Sequence, residues 1–250
     1  MDSIDKMVKS TVHVLLCKPD YLKPEDFGSG CLINYREKCF FLSVAHVTNK
    51  PDLNVYLETN LPPEEGTSPI QPIGGLFTFN VFKINDTTDT EELIEKLDNP
   101  TKPIDITFAE IKTPIKLISS KIDFGKFIVE ESERIIIEIK DVIDPSEDET
   151  YGFFGNIRQD YKDKYLVRTP TLKYPLKYHH GQGKIMKFTY PEKLDNKKDF
   201  EGCSGAPILD SKGNLVALAC TVATGSKIII GYPIRECLKL IDMTIDTNQL

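Results

Sequence analysis

Short apolar runs, each stopped after a few residues by Gly, Pro, Asn or Asp, are the feature that most constrains this chain. Helical periodicity, with apolar residues three and four apart, is nearly absent, whereas period-two alternation recurs along the length. The strands expected from this pattern are Thr11–Cys17, Cys31–Tyr35, Cys39–Ser43, Leu53–Leu57, Leu76–Lys83 and Ile104–Glu110. After a Lys- and Ile-rich passage come Arg134–Val142, Tyr165–Thr169, Gly183–Tyr190, Pro207–Leu209, Leu215–Val222 and Lys227–Tyr232. About a dozen short strands with turn residues between them predict barrels or a sandwich.

Two helices are expected beside these strands. Thr90–Leu97 carries acids in its first turn, which suits the helix dipole. Pro233 to Met243 starts on proline and lines Ile234, Cys237, Leu238 and Ile241 on one face. The passage Lys112–Glu133 lacks alternation and reads as a linker. The expected organisation is therefore a β unit over 1–115, a linker over 116–133, and a second β unit with the terminal helix over 134–250.

At 250 residues the chain is long enough for two small packed domains. A net charge of −7 argues against a nucleic-acid partner, because phosphate contact needs a basic surface. No apolar stretch approaches the roughly 20 residues that a membrane span requires. The N-terminus does not read as a signal peptide, since Asp2 and Asp5 spoil a basic n-region. Cysteines 17, 31, 39, 203, 220 and 237 form no CxxC pair and no zinc-finger spacing. His179 and His180, adjacent on a strand, would point to opposite faces and chelate one metal poorly. Free, buried thiols in a reducing compartment, and hence a cytoplasmic location, are the expectation; no metal or cofactor is expected.

Three segments could carry chemistry. In the first, Gly28-Ser-Gly-Cys-Leu-Ile leads through a hairpin to Ser43-Val-Ala-His46-Val. A histidine at a strand end can reach solvent as a general base, although a partly buried, satisfied histidine looks the same alone. In the second, Asp105 begins the alternating strand Ile104–Glu110. A carboxylate among apolar residues must be paired, and orienting a histidine would pair it; an edge aspartate on the surface is the alternative. The third is Phe200-Glu-Gly202-Cys-Ser204-Gly205-Ala-Pro207. Its glycines flank the serine at minus two and plus one, which lets the N–H groups of Gly202 and Ser204 converge as an oxyanion hole requires. A Gly-x-Ser-Gly stretch also occurs in ordinary tight turns.

Taken together and in this order, Gly-Ser-Gly-Cys-Leu-Ile, Ser-Val-Ala-His-Val, Asp-Ile-Thr-Phe-Ala and Gly-Cys-Ser-Gly-Ala-Pro-Ile-Leu resemble the landmarks of the chymotrypsin/trypsin superfamily. Ile230-Gly-Tyr-Pro-Ile resembles the last strand before the terminal helix in its bacterial, HtrA-like branch. The resemblance implies an all-β fold of two six-stranded antiparallel Greek-key barrels, with the active site in the cleft between them and a C-terminal helix. It implies a serine endopeptidase in which His46 is general base, Asp105 orients it, Ser204 is nucleophile, and the Gly202 and Ser204 amides bind the oxyanion. Ala217, Leu218, Ala219 and Cys220 would pair with the substrate backbone.

For the P1 side chain the candidates are Lys198, Asp199, Ala219, Thr221, Ala223 and Ser226. Asp199 would suit a basic residue and Lys198 an acidic one; His179 or His180 is a further candidate for this pocket. The partner implied is a protein or peptide substrate. A catalytically silent module of the same fold, binding peptides or protein partners, is the alternative.

The chain departs from secreted trypsins in two ways. Val47 follows the histidine where they have a bridged cysteine, so Cys31 has no partner there. Cys203 stands where they have the aspartate used in zymogen activation, so any regulation would fall to a protein partner or a loop rearrangement. Cys203 is also a rival nucleophile, but it lacks the flanking glycines that Ser204 has. No peptide-binding appendage of the PDZ type follows in this sequence, which implies a stand-alone enzyme or one domain of a longer chain.

Overall fold

The computed structural model describes residues 2–19, 21–62, 64, 68–81, 102–162, 165–182 and 184–250. The helix expected at 90–97 lies outside them. The first β unit is built from β1 (Val12–Lys18), β2 (Tyr21–Tyr35), β3 (Lys38–Ser43), β4 (Asn54–Glu58), β5 (Ile70–Ile73), β6 (Phe77–Val81) and β7 (Lys102–Glu110). Two-residue strands follow: β8 (Ile118–Ser119) with β11 (Ser132–Glu133), β9 (Ile122–Asp123) with β10 (Ile128–Val129), and β12 (Ile137–Glu138). The second unit contains β13 (Tyr151–Lys162), β14 (Tyr165–Gln182), β15 (Ile185–Thr189), β16 (Pro207–Asp210), β17 (Leu215–Val222) and β18 (Ile228–Pro233).

The second unit closes into a six-stranded barrel in the order β13-β14-β15-β18-β17-β16. The first is a curled sheet, β5-β4-β1-β2-β3-β7-β6, with β12 running parallel to β2. Seven strands lie on its path, with β5 and β6 at its two ends, and this half-barrel with the closed second barrel and the terminal helix makes the all-β, two-barrel fold expected. The curl comes from β2, which pairs with β1 up to Gly30 and with β3 from Cys31 onward. Gly28 and Gly30 sit where neighbours press on that bend. A Cβ would lie 2.3 Å from Val47 at the first and 2.4 Å from Phe41 at the second.

Among the described residues three α-helices accompany the sheets. α1 (Ser3–Ser10) has no counterpart in the sequence reading; α2 (Ala45–Thr48) is a single turn after β3; α3 (Ile234–Asp246) is the terminal helix. α3 buries the face predicted for it, Ile234, Cys237, Leu238 and Ile241, in a core that joins the first sheet to Leu218, Cys220 and Tyr232 of the second barrel. Its outer side is tied to the β2–β3 turn by Tyr35 and Arg36 on Asp242. α1 crosses to the second barrel, where the Met7 sulfur lies against Gly152 and the Lys6 ammonium donates to the Lys212 carbonyl at 2.6 Å.

Candidate active site

The register of the first sheet brings the histidine and the aspartate together. β3 and β7 pair antiparallel through Ser43 and Thr107, so the residues just beyond, on α2 and at Asp105, face each other. β7 carries two residues, Asp105 and Ile106, between its pairings of Ile104 with Phe79 and Thr107 with Thr78. Such a bulge re-aims a side chain at a sheet rim. The Asp105 carboxylate meets His46 Nδ1 at 2.8 and 3.0 Å and accepts the His46 backbone N–H at 2.9 Å. Burial raises the Asp105 carboxyl, but these hydrogen bonds outweigh it and hold the group below its ordinary value.

Ser204 faces this pair from the second barrel. Between the two units lies a cleft of about 690 Å³. Asp26, Phe27, His46, Val47 and Lys50 line it on one side, and Arg158, Asn196, Lys197, Lys198, Glu201, Gly202 and Ser204 on the other. The Ser204 hydroxyl donates to the Cys220 carbonyl at 2.9 Å, and it makes no hydrogen bond to His46.

The loop carrying Ser204 is held from several sides. Gly202 and Gly205 have φ of 94° and 89°, the left-handed region that favours glycine. A Cβ on Gly205 would lie 2.0 Å from the Ser29 carbonyl oxygen. Within the loop, the Cys203 N–H donates to the Phe200 carbonyl at 2.9 Å and the Gly205 N–H to that of Ala219 at 2.7 Å. From the first sheet, Ser29 donates its hydroxyl to the Gly202 carbonyl at 2.7 Å and its N–H to the Ser204 carbonyl at 2.9 Å. Ser29 in turn accepts the Ser43 hydroxyl at 2.7 Å. Among the described residues the N–H groups of Gly202 and Ser204 have no hydrogen-bond partner, which leaves two donors for an incoming oxyanion.

Cys203, fully buried, packs on Gly155, where a Cβ would come within 2.7 Å of its sulfur. Burial pushes its thiol up to about 12, with Lys173 pulling the other way. A thiol of that kind carries negligible thiolate near neutrality and makes a poor nucleophile.

The expected substrate strand requires correction. Ala217, Leu218 and Ala219 are bonded along both edges: Pro207 and Ile208 oppose Leu218 and Ala217 on one side, and Gly231 to Pro233 oppose all three on the other. Ala219 N–H and C=O also bond Ala206 and Gly205. A peptide finds no free backbone there. β16 pairs no further than Leu218, so the open edge begins at Cys220, whose carbonyl already faces Ser204. Ala223 N–H bonds Ile228 of the β17–β18 hairpin, and alternation along the strand therefore turns the backbone of Val222 to the open side.

The P1 candidates separate. Lys198 lines the cleft. Asp199 does not; its carboxylate is engaged by Arg158 at 2.7 Å and is not free for a basic residue. Ala219 is buried, and Ser226 bonds Ala223 across the β17–β18 turn. His179 and His180 are exposed on β14, stacked edge to face at 4.6 Å, and neither lines the cleft. Among the described residues no cluster of three or more His, Cys, Asp or Glu side chains could hold a metal.

Sequence reasoning missed Ser29 as a clamp and Arg158, Lys50 and Phe27 as cleft walls. Only Ser29 carried a signal, its position between two glycines.

No protein-family model matches the chain, and no curated protein is similar to it in sequence. Solved structures are similar to it in shape. A serine endoprotease from Yersinia pestis aligns over 98% of this chain with a TM-score of 0.53 and 14% identity, and this chain spans 65% of that one. Human heparin binding protein aligns over 97% of this chain and 93% of its own, with a TM-score of 0.53 and 10% identity. A mutant of the same human protein covers equal shares at a TM-score of 0.52 and 11% identity. At these identities the likeness is one of fold: the chain has the trypsin-like two-barrel architecture.

Proposed function

We propose that this chain is a serine endopeptidase acting on a protein or peptide partner. The observation that carries the reading is the His46–Asp105 pair at 2.8 Å on one wall of a cleft that Ser204 lines from the other. In the proposed reaction Ser204 Oγ, turned from Cys220 to His46, attacks the scissile carbonyl while its proton passes to His46 Nε2. Asp105, accepting from Nδ1–H, fixes the tautomer and stabilises the imidazolium. The developing oxyanion takes the Gly202 and Ser204 N–H groups. His46 then protonates the leaving amine, and water, activated by the same imidazole, releases the acyl group. Cys220 and Val222 offer the backbone edge that aligns the peptide.

One observation favours a second reading, a silent module that binds peptides: the Ser204 hydroxyl is engaged by Cys220 rather than His46. A fluorophosphonate probe separates the two. Labelling of the wild type that disappears in Ser204→Ala and falls at least 100-fold in His46→Ala supports the enzyme. A well-folded wild type that never labels supports the silent module.

A further inference from the structure

The cleft differs in charge from the molecule as a whole. The chain as a whole carries −7. The cleft walls carry Lys50, Arg158, Lys197 and Lys198 against Asp26 and Glu201. Lys50 is paired with Asp26 at 3.3 Å, and Arg158 with Asp199 at 2.7 Å. Lys197 and Lys198 form no ion pair among the described residues, and both side chains are exposed.

The wall that bears these cations is built with some care. Lys197–Asp199 form a 3-10 turn whose first free N–H, that of Lys198, is capped by the Asn196 side chain at 3.0 Å. Facing it, Arg158 sits at a bulge in β13 with φ of 51°. A bulky residue in that region is strained and persists only when its surroundings support it. Its guanidinium meets the Asp199 carboxylate at 2.7 Å, which joins the β13–β14 hairpin to the lysine turn beside Ser204.

We propose that the peptide taken in this cleft is acidic, with Asp or Glu side chains next to the residues that meet Ser204, and that Lys197 and Lys198 select them. The proposal rests on the peptide-binding cleft described above and names its substrate class. A peptide fits better than a nucleic acid or another long polyanion. Such a chain would lie mostly on surfaces of its own sign, whereas a short acidic segment meets only the local cations. Among the described residues Phe27 is the one Phe, Tyr or Trp on the cleft walls, too few for successive bases to stack on.

The test measures binding rather than turnover, so that it reads separately from catalysis. A fluorescein-labelled decapeptide with Glu on both sides of a central Ala-Ala pair, and its Lys counterpart, are titrated by fluorescence anisotropy against full-length Ser204→Ala. The Glu peptide is expected to bind at least ten-fold tighter at about 50 mM salt, with the margin narrowing at about 500 mM as screening shortens the reach of the charges. In a Lys197→Glu/Lys198→Glu background the preference should invert, an outcome that general damage to the fold would not produce. Equal binding of the two peptides, preference for the Lys peptide, or a Glu preference that survives the double substitution overturns the proposal. Fluorophosphonate labelling of Ser204, run alongside, reports on the enzyme reading alone.

Discussion

Replacing Ser29 with alanine removes one oxygen and tests whether the first sheet shapes the loop of the second barrel. Ser29 is 1% exposed, and its hydroxyl donates to the Gly202 carbonyl at 2.7 Å across a sequence separation of 173 residues. The place its hydroxyl takes on that carbonyl is closed to bulk solvent, although Gly202 itself is half-buried on the cleft wall, so the variant removes the carbonyl's donor. An unsatisfied buried acceptor costs about 1–3 kcal/mol. For a chain of 250 residues each kcal/mol corresponds to about 2–4 °C in Tm, so a fall of about 2–12 °C is expected. The Ser29 N–H bond to the Ser204 carbonyl is untouched, which keeps the loop attached but loosens the Gly202–Cys203 peptide that joins the Gly202 and Ser204 N–H groups. Loss of one preorganised oxyanion donor costs about 100- to 1000-fold in rate. Partial misplacement of the two donors that this peptide joins should therefore slow fluorophosphonate labelling by about ten-fold or more. The assay is a thermal melt beside a labelling time course. A Tm within 1 °C of the wild type with an unchanged labelling rate would refute the clamp.

Two further substitutions probe the same interface. Gly205→Ala places a methyl 2.0 Å from the Ser29 carbonyl at a φ of 89°, and should either prevent folding or abolish labelling in whatever soluble protein remains; normal labelling would show the loop to be pliable. Glu58, which meets Arg168 and His13 between the two units, has a carboxyl that burial raises but that His13 and Arg168 pull down from 4.5 to about 2. A depressed folded value means a contribution fully present above about pH 5 and lost as pH falls toward 2, on the order of 3 kcal/mol. Urea midpoints of the wild type should thus decline through that window, while those of Glu58→Gln, lower at pH 7, should be flatter; parallel curves would discard the assignment.

What could be read from the sequence was whatever is written locally. His46, Asp105 and Ser204 each sit in a short segment whose glycines and alternation belong to their own strand or turn. The terminal helix announced its buried face by spacing alone. The missing pieces are contacts between distant segments. Nothing near Ala217 says that both edges of β17 are filled at that point and open three residues later, because that depends on where β16 stops. Arg158 in left-handed backbone, and its hold on Asp199, follow from a register shift in the β13–β14 hairpin that no residue near it signals. α1 escaped notice because eight residues are too few for periodicity to stand out, although the Asp5–Lys9 ion pair one turn apart is a helical spacing.

That small helix also sets an order of events in the making of the protein. An eight-residue helix has no stability of its own. Its partners on β13 and β16 are synthesised roughly 140 to 200 residues later, about 7–40 s at ribosomal rates of ~5–20 residues per second. Through that interval Gly152 and Phe154, against which Met7 and Val8 come to lie, do not yet exist. The segment made before β1 is thus among the last to dock, and the second barrel receives it only once the strands around Gly152 exist. Folding of this chain finishes by reaching back to its beginning.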